Sequence, residues 1–299
     1  MLRGIPFPIL HFDGNYPEGF LHSNWRPQPE FLLTGFLLIA GYLILTGDIP
    51  KRRFAGWESR TVTPFQRRCW IAGALIMTIV LGPPFHDWGD AYLLSVHMAQ
   101  HLILMYLVAP LLLLGVPGWF FDPLMRVPAL DRAGRAITAA VPAFVLGNAI
   151  MIAWHLPGLY DAALRTPALH ATQHTAFVIS GFLTWWPLIG PNPRWHKASP
   201  IIQCLLLFAE TIPGGIVGMM LTLSSPGVYS FYDSAPRLWG ISLADDQVFA
   251  GTMMAVGVPV FFLGLLTVIF LRWASNEEAK DRKKPVRRPS SEPDAASIS

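Results

Sequence analysis

VFAGTMMAVGVPVFFLGLLTVIFLRW, residues 248–273, runs without a charged side chain until Arg272. An α-helix rises 1.5 Å per residue and needs about 20 mostly apolar residues to cross the roughly 30 Å hydrocarbon core of a bilayer, so this stretch reads as a membrane span. The whole chain has the same character. Its 299 residues are 53% hydrophobic and only 14% charged, and the mean hydropathy is +0.42, whereas a soluble globular domain carries about 25% charged residues. Eleven Trp, 19 Phe and 27 Pro fit a lipid setting, because aromatic rings collect at bilayer interfaces and Pro is tolerated in membrane helices. A soluble enzyme, a disordered scaffold and a disulfide-stapled secreted domain are excluded on composition.

Outward from that stretch, seven segments have spanning character: 30–46, 69–82, 90–114, 136–155, 168–189, 200–223 and 247–272. The second is short and closed by Pro83-Pro84. None shows the period-2 alternation of a membrane barrel. The fold expected is therefore all-α, a polytopic membrane protein with seven transmembrane helices. Met1 to Asn24 mixes Arg3, His11, Asp13 and prolines with no long apolar run, so no signal peptide is expected there.

Positive side chains near span ends stay on the cytoplasmic side. Of the 22 Lys and Arg, the 1–2 connection holds Lys51, Arg52, Arg53, Arg60, Arg67 and Arg68, and the 3–4 connection holds Arg126, Arg132 and Arg135. The 5–6 connection holds Arg194 and Lys197, and the C-terminal end has seven more. Only Arg3, Arg26, Arg165 and Arg237 fall in the alternate set. The expected orientation places the N-terminus outside and the C-terminus in the cytoplasm. Residues 1–29 would form a periplasmic segment, 30–273 the seven-helix domain, and 274–299, with mixed charge, proline and serine, a disordered cytoplasmic tail. The formal net charge of +3 sits in loops and tail, so it reads as topology and contact with the lipid bilayer, and no nucleic-acid partner is expected.

Chemistry inside such a chain is sought among ionisable residues within the spans, which are costly there unless they have a function. Glu210 is the one acidic residue well inside a span, a candidate proton carrier or polar partner. Five histidines lie within or at the ends of spans: His97, His101, His155, His170 and His174. His97 and His101 stand four apart, as do His170 and His174, so each pair leaves one face of its helix. With spans 3 and 5 both running inward, His97 and His174 each come about 9 Å below the outer boundary, and His155 ends span 4 at that surface. Imidazole is the commonest metal ligand. Met98 and Met253 accompany the histidines, and thioether with imidazole favours Cu(I). Asp246 at the head of span 7, and His86 and Asp87 between spans 2 and 3, are candidates for admitting an ion or orienting an imidazole. Hydrogen bonding between helices is the plainer role for any single intramembrane His, and core filling the plainer role for Met. A shared metal or haem site and a set of structural hydrogen bonds both remain open. One distance separates them: His97 and His174 imidazoles more than about 8 Å apart would leave no room for one ion, since metal–nitrogen bonds are near 2 Å.

Several sharper alternatives lack a required residue. Span 7 has no Lys for a retinal Schiff base. The stretch His97-Met98-Ala99-Gln100-His101 lacks the Glu of a zinc-protease motif, and Glu210 alone cannot build a di-iron carboxylate site. Cys69 and Cys204 form no C-x-x-C, which argues against a thiol copper carrier. Pro213-Gly214-Gly215 is a candidate hinge, on which a transporter reading would depend.

The stretches SVHMAQHLIL (95–104), AWHLPGLYDAAL (153–164), LHATQH (169–174), WWPLIGP (185–191) and ADDQVFAG (244–251) together resemble the CtaG family of seven-span bacterial cytochrome c oxidase assembly factors, over about 70–275. The resemblance implies a bacterial inner-membrane protein that matures a haem–copper oxidase by holding or delivering copper for a centre on the outer side, with an oxidase subunit as partner and no turnover of a substrate. It supplies no ligand assignment. Haem-binding electron transfer and a metal-free structural chaperone are the rival expectations.

Overall fold

The computed structural model describes residues 29–48, 60–192, 194–195 and 197–282. Among these there are helices and turns and no strand, so the all-α expectation holds. Most of the expected N-terminal segment, the Lys51–Arg53 run and the last part of the tail lie outside the described residues.

Helix α1 covers Pro29–Thr46 and α2 Pro64–Val80, opened by Thr63 and Gln66, which cap one another's backbone N–H groups, the reciprocal arrangement that satisfies the first orphan donors of a helix. Next come α3, Phe85–Ala91, and α4, Leu94–Ile103, which passes through a π-helical turn, Leu104–Val108, into α5, Ala109–Gly115. A short α6, Asp122–Met125, precedes α7, Pro128–Thr138, and α8, Ala140–Trp154. Then follow α9, Pro157–Arg165, α10, Pro167–Ile189, and α11, Pro200–Leu223. The last are α12, Leu243–Thr252, a second π turn, Met253–Gly257, and α13, Val258–Arg282.

Both π turns end two residues before a proline, Pro110 and Pro259. Proline has no N–H and its ring crowds the carbonyl four residues back, so the ladder widens there. Ala109 N–H and Val258 N–H reach back five residues, to the carbonyls of Leu104 and Met253. Trp185 donates its indole N–H to the Met105 carbonyl inside the first π turn, at 3.0 Å. Pro213 behaves differently: it sits inside α11, which stays one helix across the candidate hinge.

The packing order differs from the chain order. α4–α5 packs on α10, α10 on α8, α8 on α11, α11 on α12–α13, and α12 back on α4, closing a ring of helices. α2 lies outside this ring against α5, and α1 lies against α2. The flanks carry large apolar side chains in the open, such as Phe36, Val141, Ile216 and Val260, each more than 60% exposed. A surface of that extent suits contact with lipid. Among the described residues, three helical stretches are long and apolar enough to cross a membrane unaided: Leu94–Gly115, Pro200–Leu223 and Leu243–Arg282. The number becomes five if the bent pairs Pro64–Val80 with Phe85–Ala91 (47°) and Pro128–Thr138 with Ala140–Trp154 (76°) each count as one.

Two helices start earlier than expected, α2 at Pro64 in place of 69 and α12 at Leu243 in place of 247, and three further segments differ more deeply. The segment 90–114 divides, because Asp90 and Ala91 belong to α3 and the next helix starts only at Leu94, where the Asp246 carboxylate accepts from Leu94 N–H (2.7 Å) and Ser95 N–H (3.0 Å). The segment 136–155 divides at the extended residue Ala139, since residues 136–138 finish the amphipathic α7. The helix expected to end at 272, with a disordered tail from 274, instead continues to Arg282. Glu277 with Lys280 (2.7 Å) and Glu278 with Arg282 (2.6 Å) pair along its surface, the spacing that supports a solvated helix.

Candidate metal centre

Four helices bring their polar side chains to one end of the ring. α4 presents His97 and His101 from one face, α10 presents His170 and His174 in its first two turns, α8 ends at His155, and α3 lays His86 and Asp90 across the same end. The close seating of α3 on α4 requires Gly89: a Cβ there would collide with Gln100 Oε1 and stand 3.1 Å from the His97 backbone. The His97 and His174 ring centroids are 5.7 Å apart, inside the separation that would have ruled out a shared ion. His97 and His101 are 4.3 Å apart and His101 and His174 5.4 Å.

The side chains sort into two adjoining groups. His97, His101 and His174 each offer a nitrogen within 4.8 Å of the others, all buried; His86, Asp90 and His170 do the same with partial exposure. The second group is already linked, with Asp90 Oδ2 lying 3.1 Å from His86 Nε2 and 3.1 Å from His170 Nδ1. His170 also joins the groups, because its Nε2 stands 3.3 Å from His97 Nε2.

Hydrogen bonding fixes which nitrogens point a lone pair inward. Tyr232, on the loop between α11 and α12, donates its hydroxyl to the Gly89 carbonyl at 2.8 Å. Burial, reinforced by the Asp90 carboxylate, pushes the Tyr232 phenol well up, so it keeps its single hydrogen. His97 Nδ1, 3.0 Å from the same oxygen, must then be the donor, which leaves His97 Nε2 with a free lone pair. His170 Nδ1 likewise donates to the Asp90 carboxylate, which only accepts, and His155 Nδ1 donates to the Met151 carbonyl at 2.7 Å. A backbone or carboxylate partner on one nitrogen that frees the other is the usual support of a metal-binding imidazole.

Several inward atoms have no hydrogen-bond partner among the described residues: both nitrogens of His101, Nε2 of His155 and of His174, and the Gln173 amide. Burying such a group unpaired costs about 1–3 kcal/mol. A transition-metal ion takes imidazole lone pairs directly, so the donor set fits one. The 3.3 Å between His97 Nε2 and His170 Nε2 also matches the edge of a tetrahedral centre with bonds of about 2.0 Å.

The other candidates fall elsewhere. Asp246 belongs to neither group: its two oxygens accept from Leu94 N–H and Ser95 N–H and so hold the first turn of α4, the helix that carries His97 and His101. Asp87 belongs to neither group; Asp90, one turn beyond His86, takes the place expected of it. Met98 packs in the apolar core with Met151, Tyr160 and Phe177. Met253 lines a flank groove of about 760 Å³ with Val96, Ala99, Ile103, Phe249 and Val256. Both thioethers thus lie in the packing, and the inner group offers nitrogens alone, a donor set that suits copper in either common valence as well as zinc. Glu210 is bound to Asn148 Nδ2 (3.1 Å), not to Thr211 or His101; Thr211 donates to the Phe208 carbonyl. His155 stands beside the first group, 6.2 Å from His101. Asp90 and Tyr232 escaped the sequence reading. The i,i+4 spacing of His86 and Asp90 was a usable signal for the first, whereas nothing near Tyr232 in sequence points to His97.

A family model described as cytochrome c oxidase caa3 assembly factor (Caa3_CtaG) matches residues 40–276. The chain belongs to this family. The match takes in α2 to α12 and every histidine and carboxylate of the two groups, as the five quoted stretches led one to expect. Among curated proteins, uncharacterised proteins of Mycobacterium bovis and Mycobacterium tuberculosis are each 24% identical over 269 residues, and one of Mycobacterium leprae 25% over 278 residues. Each alignment covers 85% of this chain and 40% of the relative, so this CtaG-family chain spans well under half the length of those proteins. No solved structure matches.

Proposed function

We propose that this CtaG-family protein holds copper at His97, His101 and His174, with His170 and His155 beside them, and supplies it to a metal centre of a cytochrome c oxidase subunit at the outer face of the bacterial plasma membrane. The observation that carries the reading is the convergence of three buried imidazoles from two helices, with nitrogens aimed at one another and short of partners. The protein turns over no substrate in this role; it binds, orients and releases an ion. The reading takes α1, α2, α4–α5, α8, α10, α11 and α12–α13 as seven spans. The alternation of Lys and Arg supports that count and puts the histidine end outside. Haem is the second reading, and the ring contacts favour copper over it: a bis-histidine haem needs two imidazoles on opposite faces of a macrocycle, while here the rings stand edge against edge.

The test is titration of the detergent-purified protein with Cu(I) and Cu(II) against a competing chelator, beside a His101→Ala/His174→Ala variant. The expected result is uptake by the parent and a loss of affinity of more than about 100-fold in the variant, since even supporting groups are worth 10–100-fold. Equal uptake by both, or none by the parent, would overturn the copper site. A Soret band on purification would favour haem.

A further inference from the structure

The inner group has almost no path of its own to solvent. His97 is wholly buried, and His101 and His174 are 1% and 5% exposed. The outer group is less deeply buried: His86 and His170 are 9% and 8% exposed, and the Asp90 side chain is 19% exposed. Of the two groups this one therefore stands nearer to an ion arriving from solution. It is also the only one of the two with a carboxylate, so it compensates part of the charge of a dication before any is buried. The rings of His86 and His170 are stacked, 5.4 Å apart and 10° from parallel, and one nitrogen of each lies 3.1 Å from the same Asp90 oxygen.

We propose that His86, Asp90 and His170 form a second metal site, a receiving site for a divalent transition-metal ion, and that His170 passes the ion to His97. Two imidazoles and a carboxylate are a donor set for a divalent ion of the copper or zinc kind. The transfer needs no change of valence and no large motion. The ion leaves His86 Nε2, Asp90 and His170 Nδ1 as the protons it displaced return to those ring nitrogens, is taken up between His170 Nε2 and His97 Nε2, which stand 3.3 Å apart, and then exchanges His170 for His101 and His174. Once the ion has left the receiving site, the Asp90 carboxylate again accepts from His170 Nδ1–H, which holds the ring with Nε2 facing His97. The destination of the ion rests on the copper reading above; the existence of the receiving site does not.

The experiment uses the full chain in detergent, mixed rapidly with Cu(II) as its glycine complex, with Zn(II) as a second probe. Asp90→Asn keeps the shape and the acceptor for His170 Nδ1–H but removes the charge. The expected result is inner-site loading slower by about tenfold or more, the scale of a lost supporting carboxylate, with the final copper content of the inner site unchanged. In a His101→Ala/His174→Ala variant the receiving site should still hold one Cu(II), with an electron paramagnetic resonance spectrum of mixed nitrogen and oxygen ligation that Asp90→Asn then abolishes. Wild-type loading rates in Asp90→Asn, together with no Cu(II) bound by the inner-site variant, would overturn the receiving site while leaving the inner copper site standing. Zn(II) held at the receiving site with no copper bound at the inner one would do the reverse. His86→Gln, read in the same assay with thermal unfolding alongside, supplies a second variant should Asp90→Asn fail to fold, and the same slowing is expected of it.

Discussion

The two ends of the helix ring both bury polar side chains, and they treat them in opposite ways. At the end away from the histidines, the Asp131 carboxylate is 4% exposed, and each of its oxygens is used: Oδ2 faces Arg135 at 2.7 Å and Arg194 at 3.6 Å, and Oδ1 accepts from the Trp195 indole at 3.1 Å. Beside it Asn192 donates to the Gly118 carbonyl and accepts from Arg194 N–H. That network joins α7 to the α10–α11 connection and is complete without any ligand. At the histidine end both nitrogens of His101 and the Nε2 atoms of His155 and His174 have no partner among the described residues. Beside the Asp131 network one donor, the Trp186 indole N–H, has no partner among the described residues, whereas the histidine end leaves several ring nitrogens open together, and such a gathering marks a place for something else to bind.

The largest effect that would break this contrast comes from exchanging each polar group for leucine. His101→Leu should abolish high-affinity metal uptake while leaving thermal unfolding in detergent unchanged or raised, because a buried unpaired polar group is replaced by an apolar one of similar size. Asp131→Leu should do the opposite, lowering stability by about 2 kcal/mol, since Trp195 loses its acceptor and the partly solvated Arg135 its partner, with metal uptake intact. Equal destabilisation by both would make the histidines ordinary structural partners. A smaller effect sharpens the contrast: Tyr232→Phe removes the acceptor that holds His97 Nδ1, so metal affinity should fall by about 10–100-fold with unchanged stoichiometry, as followed by chelator competition. The smallest is expected of Glu210→Gln, which still accepts from Asn148; copper binding should stay at the parent level and stability should move by less than about 1 kcal/mol. A large loss of copper on that change would place Glu210 in the ion's path and revive a transporter reading.

Much of this was legible in residue order. Each expected apolar segment overlaps a helix, and the i,i+4 spacing of His97 with His101 and of His170 with His174 correctly put two imidazoles on one face of each helix. The misreadings share a cause. Asp246 was legible as a polar residue near the right surface, but its use as a remote cap for α4 depends on α12 packing beside α4, far away in sequence. Met98 and Met253 share depth with the histidines but point around their helices into packing. Asp90 was overlooked because the span was taken to begin there, while the chain instead ends α3 at Ala91 and starts again at Leu94.

Hydrophobic run length, helical period and histidine spacing are local properties, and the sequence by itself determined them: an all-helical, lipid-facing chain with two histidine pairs at matched depth. Only the tertiary structure decided that the pairs meet in the plane of the bundle, that Asp90 and not Asp87 joins them, and that Tyr232 sets the tautomer of His97. Depth along a helix follows from a fixed rise per residue, whereas position around the ring follows from which helices pack together. Here α12 closes the ring against α4, across about 150 residues of chain, and no local pattern encodes that contact.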